Sequence, residues 1–330
     1  MLEFGFLPGG PGRTIIASWE CSPGSTVTER YGKLDSQRVV SIGDAYLGTQ
    51  AWYNEARSSK PQTFAAAPAQ DPTASSGSCD FCRWRELTAE DAWGRVENEH
   101  ALTASNLFKY CQPAHGLVLF RRHDPLAFSA PELAGALAAA SEWLRQAARA
   151  HPGAHHPLLL WNCLPRAGAS QFHGHMQVAL SQVPFPAELR LEAATRRYEG
   201  EAGAGRGGYL VGVRRAHAAA GLLRRHGPPG HGAWCYAALA PTKDAELVLH
   251  ARSLACPALA ALLFAALRAL IDGLVVTAFN TAAINMRLDG AANGADSPVI
   301  VRLVSRGRGA ASDVGALEVA CLHACLDWTR

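Results

Sequence analysis

The sequence predicts an α+β fold assembled from two similar halves. Short apolar runs of strand length alternate with segments of helical periodicity from residue 116 onward. The order strand, helix, strand, turn, strand, helix occurs twice. In the first series a strand carrying Asn162 precedes a histidine-bearing strand, and in the second a strand carrying Asn280 precedes one around Arg302.

The first 60 residues hold two short strand candidates, at 14–17 and 39–42. An Ala/Pro/Ser/Gly-rich stretch at 65–78 reads as a mobile loop, so 1–78 forms an N-terminal extension. The first half, 79–198, opens on a buried strand at 116–120. A helix at 131–150 starts with Pro131, where a missing N–H costs nothing. Leu133, Leu137, Trp143 and Leu144 give it an apolar stripe. Strands at 157–164 and 172–180 and a helix at 186–198 follow. Residues 199–232 are rich in Gly, Arg and His and read as a linker. The second half, 233–330, repeats the series: strands at 233–239 and 246–250, a helix at 257–272, strands at 275–284 and 299–304. A closing helix at 313–327 carries Asp313 as its cap.

Composition excludes several classes. Of 330 residues 48% are hydrophobic and 18% charged, enough to bury a core and too apolar for a disordered chain. The net charge of +3 (31 − 28) is too small to argue for nucleic acid by field strength. No apolar run reaches the roughly 18–20 residues of a membrane helix; the best, 258–271, is shorter and contains Arg268. The N-terminus lacks a basic region followed by an apolar stretch. Nine cysteines without framework spacing suit a reducing, cytoplasmic setting with free thiols or metal ligands.

Chemistry concentrates between Asn162 and Gln177. On a strand, His173, His175 and Gln177 share one face. Gly168-Ala-Ser170, just before them, is a turn able to present backbone N–H groups and a hydroxyl to an anion. Imidazole is largely unprotonated near neutral pH and attacks phosphorus when its second nitrogen is held. A neighbouring amide stabilises charge building on a phosphoryl oxygen. The spacing therefore suits covalent nucleotidyl or phosphoryl transfer.

The His-x-His-x-Gln pattern resembles the transferase branch of the histidine-triad superfamily, which holds galactose-1-phosphate uridylyltransferases, dinucleoside tetraphosphate (Ap4A) phosphorylases and GDP-hexose phosphorylases. Asn162, eleven residues before His173, the Gly168–Ser170 turn, Asn106-Leu-Phe, the His115 and His123 segment, Pro241-Thr-Lys243 and Phe279-Asn280 resemble further family elements. The resemblance covers roughly 79–304 and implies histidine-triad-like halves, an antiparallel sheet with helices packed on it. It makes His175 the nucleophile, Gln177 its stabiliser and His173 a support. It makes Asn106, Asn162, Gly168 and Ser170 ligand contacts. Arg166, in the turn, suits a phosphate; Lys109 and Lys243 are further candidates for phosphate, while His115 reads as a strand cap.

Cys79-Asp-Phe-Cys82 is half a zinc site. In galactose-1-phosphate uridylyltransferases such a pair joins a downstream histidine and the first triad histidine on zinc. Here Cys79, Cys82, His123 and His173 stand in that order. Cys321 and Cys325, at helical spacing, read as core thiols.

The reading is a ping-pong nucleotidyltransferase or phosphorylase working through a nucleotidyl-histidine. An Ap4A-type substrate with phosphate as acceptor comes first, on the Gly-Ala-Ser-Gln run. A sugar-nucleotide transferase or GDP-hexose phosphorylase comes second, on Cys-x-x-Cys and His123. A catalytically inactive nucleotide-binding or assembly subunit is the non-enzymatic competitor, and an RNA-binding zinc module a weaker one, disfavoured by the low charge. The resemblance also implies a homodimer.

Overall fold

The computed structural model describes residues 4–6, 13–16, 19–21, 24–31, 36–44, 49–54, 79–202, 207–243, 245–289, 294 and 297–307. The expected closing helix at 313–327, with Cys321 and Cys325, and the expected loop at 65–78 lie outside these residues.

The N-terminal part supplies strands β1 (Phe4–Phe6), β2 (Arg13–Ile16) and β3 (Trp19–Cys21), helix α1 (Val27–Tyr31), then β4 (Ser36–Asp44) and β5 (Thr49–Asn54). Strand β4 gathers β1, β2 and β5 into a small antiparallel sheet. The first half then runs α2 (Trp84–Leu87), β6 (Ala89–Asp91), β7 (Ala101–Ser105), β8 (Pro113–Phe120), α3 (Ala130–Ala150), β9 (His156–Cys163), β10 (His175–Ser181) and α4 (Pro186–Ala202). The rest comprises α5 (Tyr209–Ala219), β11 (Leu223–His226), β12 (Ala233–Ala237), β13 (Leu247–Ala251), α6 (Pro257–Arg268), β14 (Phe279–Ile284) and β15 (Val299–Ser305).

One antiparallel sheet of eleven strands, ordered β11-β12-β13-β15-β14-β9-β10-β8-β7-β6-β3, crosses both halves. Its register displays the duplication. Gln177 pairs with Leu160, Leu160 with Ala282, and Ala282 with Arg302; Leu117 and Val248 flank this row at equivalent places. Strands β8, β9 and β10 thus match β13, β14 and β15 about the β9–β14 seam. Arg302 occupies the place of Gln177, and Ile300 that of His175.

Alternation along the strands separates two faces. Val118, Met176, Val178, Trp161, Phe279 and Val301 point to one, where α3 and α6 cover them. Helix α3 begins in a capping box: the Ser129 hydroxyl accepts from the Glu132 N–H, and the Glu132 carboxylate accepts from the Ser129 N–H. It packs Leu133, Leu137, Trp143 and Leu144 on the sheet. Gly116 in β8 lets Trp143 approach; a Cβ there would stand 2.6 Å from the indole. On the other face α4 and α5 cover the second half, through residues such as Ala187 and Leu210. Over the first half that face carries the cleft.

Several expectations change. The segment read as a linker, 199–232, contains helix α5 and strand β11. Tyr209, Leu210 and Val213 give α5 an apolar stripe that neighbouring glycines and arginines hide in a composition reading. The helix at 257–272 ends at Arg268 and continues as a π turn, Ala269–Gly273. The triad strand starts at His175, because Phe172 and His173 lie in a bend before it. No helix of the described residues is long and apolar enough to cross a membrane.

Candidate active site and metal centre

The bend before β10 sends the two triad histidines to different tasks. The His173 ring meets the ends of other segments. Its Nε2 lies 2.6 Å from the Phe120 carbonyl. A carbonyl only accepts, so Nε2 carries the proton and Nδ1 the lone pair. That Nδ1 is 3.5 Å from Cys79 Sγ and 3.5 Å from Cys82 Sγ, while His123 Nδ1 is 3.3 Å from Cys82 Sγ. All four ligand atoms lie within 4.8 Å of one another. A tetrahedral ion with Zn–S of about 2.3 Å and Zn–N of about 2.0 Å needs S···N edges of roughly 3.5 Å. The donor set, its spacing and the carbonyl orienting His173 fit a closed structural site. Burial pushes the His173 imidazole down to about 4. Burial, with Cys79 beside it, pushes the Cys82 thiol up to about 12. The sequence-predicted quartet Cys79, Cys82, His123 and His173 is brought together.

The His175 ring turns to the cleft. Its Nδ1 lies 2.8 Å from the His173 carbonyl, so Nδ1 carries the proton and Nε2 the lone pair. The side chain is largely buried yet forms part of the cleft wall. Phe81, from the middle of the Cys79–Cys82 knuckle, packs against it with ring centres 5.1 Å apart.

Gln177, two residues on, lines the same cleft. Tyr110 Oη donates to its Oε1 at 3.0 Å. The Tyr110 N–H donates to His115 Nδ1 at 3.3 Å, and His115 Nε2 lies 3.1 Å from both Gln177 Oε1 and Asn106 Nδ2. The Tyr110 hydroxyl on Oε1 directs the Gln177 amide NH₂ away from it. His115 is therefore a fully buried support of Gln177 rather than a strand cap.

Between β9 and β10 the chain makes a 3₁₀ turn, Pro165–Ala167, closed by Gly168 at φ 87°, a conformation that favours glycine. The N–H groups of Ala167 and Ala169 return to the Leu164 carbonyl. Gly168 and Ser170 line the cleft, as does Asn106, whose Oδ1 accepts the Phe108 N–H at 3.0 Å. The cleft is open to solvent, and its wall mixes these polar groups with the apolar side chains of Phe81, Leu107, Phe108 and Leu117.

Other candidates fall elsewhere. Lys109 is a core residue: its amine donates to Ser105 Oγ at 2.8 Å and the His115 carbonyl at 2.9 Å, with Asp91 4.0 Å away. Residues 105–108 line the cleft, whereas the Lys109 amine is turned to these inward partners. Asn162 is buried, and its Oδ1 accepts from Asn280 Nδ2 at 2.8 Å; that same Nδ2 donates to the Ala167 carbonyl at 2.8 Å. Arg166 turns its Nε to the Arg306 carbonyl. Lys243 lies in the turn between β12 and β13. Neither Arg166 nor Lys243 belongs to the cleft wall. Sequence reasoning missed Arg30, Asp80, Phe81 and Tyr110. Asp80 and Phe81 lie between Cys79 and Cys82, and Tyr110 follows the candidate Lys109, a proximity signal that could have found them; Arg30 had none.

Sequence comparison finds no matching family model and no matching curated protein. Solved structures do match in fold. A GalT-like protein of Arabidopsis thaliana aligns with a TM-score of 0.54 at 19% identity, over 74% of this chain and 86% of its own. An ADP-glucose phosphorylase of Arabidopsis thaliana, solved with ADP-glucose bound, aligns with a TM-score of 0.54 at 17% identity, over 85% of this chain and 92% of its own. A uridylyltransferase aligns with a TM-score of 0.52 at 13% identity, over 68% of this chain and 79% of its own. The fold is the GalT-like α+β fold.

Proposed function

We propose, from a GalT-like fold with this cleft, that the chain is a nucleotidyltransferase or phosphorylase acting through a nucleotidyl-histidine. The observation that carries the reading is the His175 ring at the cleft wall, its Nδ1 bound to the His173 carbonyl.

In this mechanism His175 Nε2 attacks the α-phosphorus of a nucleotide donor. A bond forms from nitrogen to phosphorus, and the bond from phosphorus to the bridging oxygen breaks. The leaving group departs as a phosphate ester or phosphate, stable as an anion, so no general acid is needed. A neutral amide at Gln177 suits that demand: it donates to a non-bridging oxygen without supplying a proton. The Nδ1–H to the His173 carbonyl steadies the positive charge that the ring acquires. An acceptor phosphoryl oxygen then attacks the same phosphorus and restores the imidazole, giving ping-pong kinetics. Ser170, on the cleft wall, holds the donor in line.

Cys79, Cys82, His123 and His173 would hold a divalent ion such as zinc, which when bound ties the knuckle to the start of β10.

For the donor, a nucleoside diphosphate sugar leads. The Cys2His2 cluster supports it, being the feature that the resemblance ties to the uridylyltransferases, and the neighbours in fold include an ADP-glucose phosphorylase and a uridylyltransferase. The Gly168–Gln171 run supports the second reading, an Ap4A-type dinucleoside polyphosphate. The test is incubation with ADP-glucose, UDP-glucose, GDP-hexose and Ap4A, each α-labelled, with and without phosphate. An acid-labile adduct mapping to His175 is expected with one of them; label on no histidine overturns the mechanism.

A further inference from the structure

On the helix side of the sheet, away from His175, three arginines line a groove that nucleotidyl transfer does not use. Ser141, Arg145 and Arg149 stand at i, i+4 and i+8 on α3 and so form one stripe, beside the stripe that buries Trp143, Leu144 and Ala147. Arg145 and Arg149 line two recesses that also share Asp289, so the recesses form one groove. Its facing wall comes from the second half: Ser253 and Leu254 after β13, and Arg287 after β14. No residue lines both the groove and the cleft. We propose that the groove binds a phosphoryl anion (inorganic phosphate, pyrophosphate or the phosphate of a small monoester) at a second site that bridges the two halves. The site is independent of the nucleotidyl-transfer reading.

The charge in the groove is unbalanced. Arg145 is ion-paired with Glu142, and Arg287 with Asp289. Arg149 lines both recesses and has neither a hydrogen bond nor an ion pair among the described residues. The Ser141 and Ser253 hydroxyls and the His155 ring, also in the wall, carry no side-chain hydrogen bond among the described residues either. Three guanidiniums thus meet two carboxylates, and the donors left over are a guanidinium, two hydroxyls and an imidazole. A guanidinium without a carboxylate presents a planar fork that matches two phosphoryl oxygens at once. The floor consists of Leu144, Leu254 and Met286, core side chains that are nearly covered. It offers no apolar slot for a large organic body, so a small anion is the class that fits. Arg149 stands in the last turn of α3, where a cation also complements the helix dipole. A role confined to the helix end would leave its guanidinium open to reagents, with or without phosphate.

Arginine modification by phenylglyoxal on the full chain, mapped residue by residue by mass spectrometry, tests this. Pyrophosphate, inorganic phosphate and a hexose phosphate are each compared with sodium chloride at matched ionic strength. At saturation at least one of the three is expected to slow modification of Arg149 by about fivefold or more. The exposed Arg196 and Arg197 of α4 are expected to react at unchanged rates. The anion that protects at the lowest concentration identifies the source of the phosphoryl group. Arg149→Gln is expected to raise the half-protection concentration for Arg145 and Arg287 by about tenfold. Arg149→Lys is expected to recover part of that, since it keeps the charge without the fork. His175→Ala is expected to keep the protection of Arg149 in full, and its loss there would overturn the independence of the two sites. Equal rates for Arg149 in phosphoryl anion and in chloride overturn the proposal and leave the residue its helix-end role. Equal protection of Arg196 overturns it as well, because that marks ionic screening. So does an unchanged half-protection concentration in Arg149→Gln.

Discussion

At the scale of the residue, the chemistry depends on which ring nitrogen holds a proton. His175 has its Nδ1 committed to the His173 carbonyl, so only Nε2 can bond to phosphorus. Replacing His175 by Ala is expected to cut kcat by at least about a thousandfold with the far-UV circular dichroism unchanged. Gln177→Ala, which removes a donor to the developing charge, is expected to cost about a hundredfold in kcat and little in KM. Steady-state kinetics on the donor identified by labelling checks both. The triad was legible because its residues are two apart in the sequence, a local relation. The supports of Gln177 were not: Tyr110 and His115 reach it from 67 and 62 positions away in sequence.

Elements explain how these side chains stay fixed. The knuckle at Cys79–Cys82 has little secondary structure of its own, and its two thiols face His123 and His173, where the proposed ion would tie it down. Cys82→Ser is expected to lose the bound ion in elemental analysis and to lower the Tm by several degrees. Away from the cleft, β12, β13 and α5 enclose His250, fully buried between Arg214 and Tyr236. Burial first, then Arg214 and His217, lowers its pKa from 6.5 to about 3. The unfolded chain binds this proton below pH 6.5 and the folded chain does not until about pH 3, so stability is complete above 6.5 and falls with pH through that window. The slope per group approaches about 1.4 kcal/mol per pH unit. Urea unfolding at pH 7, 6 and 5 is expected to show a shallower loss for His250→Gln than for the wild type. Element types and most boundaries were legible from periodicity, as with α3 and β9. Helix α5 was not, because flanking Gly and Arg masked a short apolar stripe whose burial depends on β12 and β13.

On the scale of the whole molecule, the two halves form one sheet across the β9–β14 seam. Asn162 and Asn280 stand opposite each other there, and Asn280 also holds the Ala167 carbonyl of the turn. Asn280→Leu is expected to cost about 2 to 4 kcal/mol, by leaving a buried amide oxygen and a carbonyl unpaired. A double-mutant cycle with Asn162→Leu should show coupling above about 0.5 kcal/mol; additive losses would refute the pairing. The duplication has also diverged. The Gln177–His115 pair has its counterpart in Arg302 bonded to Glu246, and Ile300 stands where a second nucleophile would be. Among the described residues the second half therefore lacks a counterpart of His175.

The sequence by itself determined the α+β alternation, the duplicated order and the triad, because each is written in local spacing, while the Cys79, Cys82, His123 and His173 quartet was read through the family resemblance. The tertiary structure alone decided which cation meets the cleft, what orients Gln177, and that Lys109 belongs to the core. Those are contacts between segments distant in the chain, and burial, not residue type, sets whether a charge is offered to a ligand or consumed by a neighbour.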